Sequence, residues 1–297
     1  MLTIAPIAET PEAALVRALP AAPYLRRLHE TGVQGHWRDA LQAVREIPAD
    51  LPDAEAMAVM RKAKAQLHLS LAAEDLSGVL PVMGVTRALS EFAEESLEAA
   101  LRVSLARREL EGAGIFAVAL GKMGAYELNY SSDIDICVFY EPGVFMDGDF
   151  SAGETAQRIA RDLVRMMQEA TGDGYVFRTD LRLRPDPSST PLAVSTKMAD
   201  LYYESVGQNW ERMVWIKARP TAGDRAYAER FLKILQPFVW RRNLDYWALG
   251  DIQAIKRMIN SKVGSADLET VSPDVKLGPG GIREIEFFAQ TQQLILG

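Results

Sequence analysis

The stretch LGKMGAYELNYSSDIDICVF, residues 120–139, ends an apolar strand, turns through two glycines and enters a second strand that carries Asp133 and Asp135. Side chains of a strand alternate between its two faces, so both carboxylates are predicted to point the same way. Two like charges on a half-buried face repel each other and resist losing their water unless a cation lies between them. The pattern therefore predicts a metal site on the second strand.

A third strand is predicted at residues 175–183, where YVFRTDLRLRP places one acid among three arginines on one face. If this strand lies beside the second one, Asp180 joins the two earlier acids in a three-carboxylate cluster. Arginine is the side chain best suited to paired contacts with phosphate, so Arg182 and Arg184 on the same face predict phosphate binding. A purely structural amphipathic strand is the alternative for this segment taken alone.

The segments around these strands predict the rest of the architecture. The apolar run IFAVAL at 115–120 predicts a buried first strand, and the capping-box spacing of Ser151 and Glu154 predicts a helix between the second and third strands. Hydrophobic spacing is helical before the first strand and again beyond Thr196. This order predicts an α+β fold in which a small mixed sheet carries the acids between two helical regions.

We expect three regions along the chain. They are an N-terminal helical region at 1–110, a catalytic core at 111–225 and a C-terminal helical segment at 226–297. In the last region the helical spacing extends to about residue 262, and a glycine-rich turn, KLGPGG, then precedes a further helix that begins near Arg283.

Composition limits the possible functions. The formal net charge of −7 argues against a broad nucleic-acid surface and disfavours a template-directed or RNA-tailing polymerase. The single cysteine, Cys137, excludes an internal disulfide and is expected to pack rather than to act as a nucleophile, and three scattered histidines do not indicate a zinc site. We find no signal-peptide pattern and no apolar run long enough to span a bilayer, and we expect a cytoplasmic protein without a membrane partner.

Three acids beside a Gly-Lys turn are typical of a site that binds a metal ion and phosphate. Magnesium prefers oxygen ligands and is commonly held by a few carboxylates together with the phosphates of a substrate. Gly121 would let the backbone approach those phosphates, Lys122 would neutralise their charge, and Ser132 offers a hydroxyl just before the acids. We therefore expect Mg²⁺-dependent chemistry at phosphorus. The predicted catalytic and metal-binding residues are Asp133, Asp135 and Asp180.

The order Gly-Lys, D-x-D and then a third Asp on a later strand resembles the DNA polymerase β-type nucleotidyltransferases. More closely, four motifs together resemble the glutamine synthetase adenylyltransferase/adenylyl-removing enzymes, collinearly over residues 115–297. The motifs are GKMGAYELNYSSDIDI, DLRLRP, YYESVGQNWERMVWIKARPTAGD and KLGPGGIREIEF. Residues 1–110 resemble that family only in being helical. The resemblance implies a polymerase β-like, palm-like nucleotidyltransferase sheet in the core.

The resemblance also implies a reaction. In that family the N-terminal catalytic domain removes AMP from an adenylylated tyrosine of glutamine synthetase by phosphorolysis, in which phosphate enters and ADP leaves. A C-terminal domain attaches AMP from ATP to the same tyrosine, and the signal protein PII regulates the whole enzyme. The wording ELNYSSDID, about 120 residues from Met1, resembles the N-terminal domain, so we expect an N-terminal piece of a longer bifunctional enzyme.

The resemblance carries metal-ligand roles onto the three acids and nucleotide or phosphate contacts onto further positions. Those positions are Gly121, Lys122, Ser132, Arg182, Arg184, Arg212 and Lys217. Residue chemistry alone leaves two other functions open, a forward adenylyltransferase that uses ATP with the same acids and a regulatory module that binds nucleotide without catalysis. The intact acid triad disfavours the module, because a site without chemistry has no need of clustered carboxylates.

Overall fold

A five-stranded mixed sheet lies at the centre of the chain, in a computed structural model that describes residues 9–146, 152–240, 275–276 and 280–296. Its strands are β1 (Ile115–Ala119), β2 (Ile134–Tyr140), β3 (Thr179–Asp180), β4 (Ala193–Ser195) and β5 (Arg219–Gly223). Strand β1 lies between β2 and β5 and is antiparallel to both, while β3 and β4 pair in parallel with the beginning and the end of β2. The predicted α+β class is confirmed.

Eleven helices are found in the described ranges. They are α1 (Pro11–Ala18), α2 (Pro23–Glu30), α3 (Trp37–Arg45), α4 (Asp53–Ser77), α5 (Val82–Ala106), α6 (Gly121–Gly124), α7 (Ala152–Gln168), α8 (Thr196–Ser205), α9 (Asn209–Trp215), α10 (Arg225–Val239) and α11 (Ile282–Leu296). Within those ranges, none of the helices combines the length and the apolar character that crossing a membrane requires.

Helices cover the sheet on both faces, and each face has its own hydrophobic core. Alternation along β1 divides the side chains between the two cores. Ile115 and Ala117 face a core that includes side chains of α3, α4, α5 and α7, whereas Phe116 and Val118 face a core built from α8, α9 and α10. Because β1 is buried on both faces, its sequence is a continuous apolar run rather than an alternating one.

The third strand is shorter than predicted. Residues 175–183 were expected to form one continuous strand, but only the two residues of β3 pair with β2. Before β3, the N–H groups of Val176 and Phe177 donate to the carbonyl of Met167 in α7. After β3 the chain turns, and the guanidinium of Arg184 gathers the carbonyl oxygens of that turn. These backbone groups have other partners, so they cannot extend the ladder.

The C-terminal helix begins where the glycine-rich turn predicts it. Helix α11 starts at Ile282, and the N–H of Arg283 donates to the carbonyl of Lys276 at 3.1 Å, which holds the turn against the helix. Two predictions lie outside the described residues. They are the helical spacing between 241 and 262 and the position of Ser151 in the expected capping box.

Candidate active site

Two of the three predicted acids, Asp135 and Asp180, lie side by side where β2 begins, and the charge of Asp133 acts on Asp135. The parallel register makes Asp135 and Asp180 direct partners on neighbouring strands, which confirms the expectation that these two strands are adjacent. Asp133 immediately precedes β2 and is exposed, whereas Asp135 is half-buried. Asp135 shares its face of β2 with the buried Cys137 and Phe139, so the acids lie at the edge of the core built from α8, α9 and α10.

Asp135 bears the electrostatic strain of this cluster. Burial, followed by the negative charges of Asp180 and Asp133, raises the pKa of its carboxyl to about 6. The positive charges of Lys276 and Arg182 oppose this rise in the pKa. The positive charge around Asp135 is therefore too small to keep all three carboxylates ionised, and a bound cation would supply the missing charge.

Each outer acid is held by an arginine. Arg178 Nε donates to Asp133 Oδ1 at 2.5 Å, and Arg182 donates to both carboxylate oxygens of Asp180 at 2.5 to 3.0 Å. The hydrogen bonds from Arg182 hold the pKa of the Asp180 carboxyl below the usual range. The side chain of Arg182 is 84% exposed and that of Arg178 is 52% exposed. Ion pairs this exposed are weak, so a phosphate and a metal ion can displace both arginines at small cost.

The glycine turn brings the backbone directly against the central acid. Gly121 has a φ of +52°, and a Cβ atom at this position would lie 2.5 Å from Oδ2 of Asp135. At Gly124 a Cβ atom would lie 1.9 Å from the carbonyl oxygen of Lys217. Between them Lys122 is exposed, and its side chain makes no hydrogen bond or ion pair with the described part of the chain. The GKMG motif thus requires both glycines and presents a lysine next to the acid contact.

Two other predicted phosphate ligands lie close to the acids in the chain and have partners in the fold. Ser132 Oγ accepts a hydrogen bond from the N–H of Asn129 at 3.2 Å, in the turn just before Asp133. Arg184 donates to the carbonyl oxygens of Leu181, Pro187, Thr190 and Pro191 at 2.9 to 3.0 Å. Its guanidinium therefore closes the loop after β3, and its contact with phosphate stays a prediction.

The last two predicted phosphate ligands are also held in the fold. Lys217 Nζ lies 2.8 Å from a carboxylate oxygen of Glu127 and 2.8 Å from one of Glu286, so it joins the turn after α6 to α11. Arg212 is buried, and its guanidinium carbon lies 5.6 Å from the ring centroid of Phe238. Phosphate contacts from either side chain stay predictions.

Lys276 is a site residue that the sequence patterns did not single out. Its charge lowers the pKa of Asp135, which places its side chain within electrostatic reach of the acids. A signal was present, since Lys276 stands just before the glycine-rich turn, a combination of lysine and glycine that also marks Gly121 and Lys122.

The acids suit a magnesium ion chemically without forming a closed metal cage. Within the described residues, no three His, Cys, Asp or Glu side chains converge as a ready metal site. Asp135 and Asp180 nevertheless lie side by side and supply the carboxylate oxygens that magnesium prefers. The repulsion that raises the pKa of Asp135 is also what a divalent cation would relieve. The residues therefore fit the ion once Arg178 and Arg182 turn away from the outer acids.

Comparison with known proteins matches almost the whole chain. Residues 14–234 match the family described as glutamate-ammonia ligase adenylyltransferase, and residues 253–297 match the one described as GlnD PII-uridylyltransferase. Proteins of Rhizobium meliloti, Caulobacter vibrioides and Agrobacterium fabrum are 49%, 49% and 51% identical over 96%, 95% and 82% of this chain. Each is named bifunctional glutamine synthetase adenylyltransferase/adenylyl-removing enzyme. The chain spans 30%, 31% and 26% of their respective lengths.

Proposed function

The chain belongs to the glutamate-ammonia ligase adenylyltransferase family, and on this premise we propose that it removes AMP from an adenylylated tyrosine of glutamine synthetase by Mg²⁺-dependent phosphorolysis. One observation carries the proposal, namely the parallel register that sets Asp135 beside Asp180, with Gly121 against Asp135. Adjacent carboxylates next to a glycine, which has no side chain, suit a reaction at phosphorus. The acids can hold a cation, and the turn leaves room for phosphate oxygens.

The proposed reaction exchanges one bond to phosphorus for another. An oxygen of inorganic phosphate attacks the adenylyl phosphorus, the bond from phosphorus to the tyrosine oxygen breaks, and the phenolate leaves and takes up a proton. The products are ADP and unmodified tyrosine. When bound, magnesium supplies positive charge to the phosphoryl oxygens. The residues that would hold it are Asp133, Asp135 and Asp180.

The cationic side chains around the acids favour phosphate over water as the nucleophile. Two anions, phosphate and the adenylyl group, must approach each other, and surrounding cations reduce their repulsion. Lys122, Arg178 and Arg182 are exposed around the acids. Lys276 lies within electrostatic reach of Asp135. A hydrolase needs only space for water and a base, so this much positive charge has a use in phosphorolysis that it lacks in hydrolysis.

The forward reaction, attachment of AMP from ATP to glutamine synthetase, is the second candidate. The names of the relatives contain both activities, and the same acid cluster would serve either reaction. The two reactions differ in their substrates and products, which separates them in one assay.

Incubation of the protein with adenylylated glutamine synthetase, magnesium and phosphate tests the proposal. We expect ADP to form at a rate that saturates with phosphate and vanishes with a magnesium chelator, and labelled phosphate to appear at the β position of ADP. The Asp135→Asn variant is the matched inactive control. AMP as the sole product, at a rate indifferent to phosphate, would make the protein a hydrolase. Consumption of ATP with unmodified glutamine synthetase, and no ADP from the adenylylated form, would establish the forward reaction instead.

For the whole enzyme we expect regulation by the signal protein PII and a cytoplasmic location. The expected regulation by PII is supported by a family match alone, because residues 253–297 match a family whose name contains PII. The rate of AMP removal by the full-length enzyme, measured with and without PII, is the appropriate readout. A rate that is unchanged at saturating PII would contradict this expectation.

A further inference from the structure

We propose that a groove beside the acids binds an acidic segment of the protein substrate, and that this segment lies close to the modified tyrosine in the substrate's sequence. This inference rests on the proposed function only in taking a protein as substrate. The groove is an open cavity of about 470 Å³ along one face of α7. Its lining residues are Arg161, Val164, Arg165, Gln168, Glu169, Arg178 and Leu192. We call this cavity the α7 groove.

One end of the α7 groove adjoins the catalytic acids at two points. Arg178, which lines the groove, donates to Asp133 at 2.5 Å. Gln168, which also lines it, accepts a hydrogen bond at 3.1 Å from Oγ1 of Thr179, the residue before Asp180. A peptide whose tyrosine reaches the acids would therefore have its neighbouring residues at the opening of the groove.

At the far end of the α7 groove lies Arg161, the arginine of the lining that has the fewest polar partners among the described residues. Within the described residues, the guanidinium of Arg161 makes one hydrogen bond, to Gln157 at 3.4 Å, and no ion pair. Arg165, one turn further on, is paired with Asp53 and lies 3.9 Å from Glu169, the one acid of the lining. Three arginines and one glutamate line the groove, so it is locally cationic although the chain has a net charge of −7.

The dimensions of the α7 groove suit a peptide better than a single phosphate. Arg161 and Gln168 are two helical turns apart, which corresponds to about 10 Å along the helix axis. An extended chain covers that distance in about three residues. Val164 and Leu192 offer an aliphatic surface between the two ends. An acidic side chain about three residues from the tyrosine would therefore meet Arg161.

Peptide binding to the full chain, followed by fluorescence anisotropy, tests this assignment. The probe is a fluorescent nine-residue peptide with a central unmodified tyrosine and glutamates three and four residues to either side. Its matched control has glutamine at those four positions. We expect the acidic peptide to bind about two- to fivefold more tightly, as for exposed ion pairs, with an advantage that shrinks as salt is added. Equal affinities of the two peptides would overturn the proposal.

Arg161→Gln is the informative variant, because Arg161 makes no ion pair in the described chain that its replacement could break. We expect this variant to lose the preference for the acidic peptide. The matched control is Lys233→Gln, which removes one exposed charge from α10 and should keep the preference. The proposal would be overturned if Arg161→Gln kept the preference or if both variants lost it equally.

Displacement of the acidic peptide by inorganic phosphate at constant ionic strength would also overturn it, because the groove would then be a phosphate site. Binding is measured without turnover, so a failure of the proposed reaction would leave this result readable.

Discussion

Replacement of Asp135 by asparagine separates the electrostatic strain of the acid cluster from its chemistry. Burial, followed by the charges of Asp180 and Asp133, raises the pKa of Asp135 in the folded protein from its ordinary value of 3.8 to about 6. One pKa unit corresponds to about 1.4 kcal/mol, so the ionised carboxylate destabilises the metal-free fold by at most about 3 kcal/mol. Because the side chain is partly exposed, we expect about 1–2 kcal/mol in practice.

The pH dependence of this effect has a defined sign. Between about pH 4 and pH 6 the folded protein holds a proton on Asp135 that the unfolded chain has already lost. The contribution of Asp135 to the free energy of unfolding is therefore greatest below this window and falls as the pH rises through it. Urea denaturation with a chelator present should find Asp135→Asn more stable than the wild type by about 1–2 kcal/mol at pH 8 and nearly equal to it at pH 4.

Asp180→Asn is the matched control, because Arg182 shifts the pKa of Asp180 in the opposite direction, below the usual range. The ionised Asp180 stabilises the fold above the pKa of the unfolded chain, and this contribution is lost as the pH falls. Because the pair is exposed, Asp180→Asn should lose less than about 1 kcal/mol at pH 8. Both variants should lose most of the AMP-removing activity. A loss of stability in Asp135→Asn at pH 8, or turnover at the wild-type rate, would refute the reasoning.

Three further substitutions probe the surroundings of the acids. Gly121→Ala should lower the free energy of unfolding by about 1–3 kcal/mol and abolish activity, because the new Cβ would overlap the Asp135 carboxylate and φ at this position is positive. A wild-type urea midpoint would contradict this. Arg182→Ala should raise KM for phosphate or the adenylylated substrate at a nearly unchanged melting temperature; normal kinetics with a large drop in melting temperature would make Arg182 structural. Lys217→Met should lose about 1 kcal/mol of stability with little change in kcat, because the ammonium pairs with two carboxylates; a collapse of kcat in a stable variant would instead favour a phosphate contact.

Local patterns were sufficient for the acid pair. Alternation along β2 predicted that Asp133 and Asp135 share a face, and a helix was predicted between the second and third strands. The pairing of Asp180 with Asp135 then followed from one assumption, that these strands are neighbours, which the register confirms.

Tertiary partners determined what the patterns could not predict. The third strand is short because Met167 takes up backbone N–H groups before it and Arg184 takes up carbonyl groups after it, and a longer ladder would need both. Lys276 was missed because the lysine-glycine pattern around it does not indicate its partner, and only packing bridges its distance in sequence from Asp135. Part of that packing is the contact of Met213 in α9 with Leu294 in α11. Side-chain partners across such distances depend on the whole fold rather than on nearby residues.

The parallel pairing of Asp135 with Asp180 also has a kinetic consequence. Parallel strands cannot be joined by a hairpin, so the crossover that contains α7 must close before the two carboxylates can lie side by side. Closing that long loop is entropically unfavourable, and the repulsion between the two acids opposes it further. The acid pair should therefore be absent from the transition state for folding and be assembled only after it. A ligand that binds only the assembled pair slows unfolding and leaves the folding rate unchanged. Magnesium would then prolong the lifetime of the folded protein without shortening the time needed to reach it.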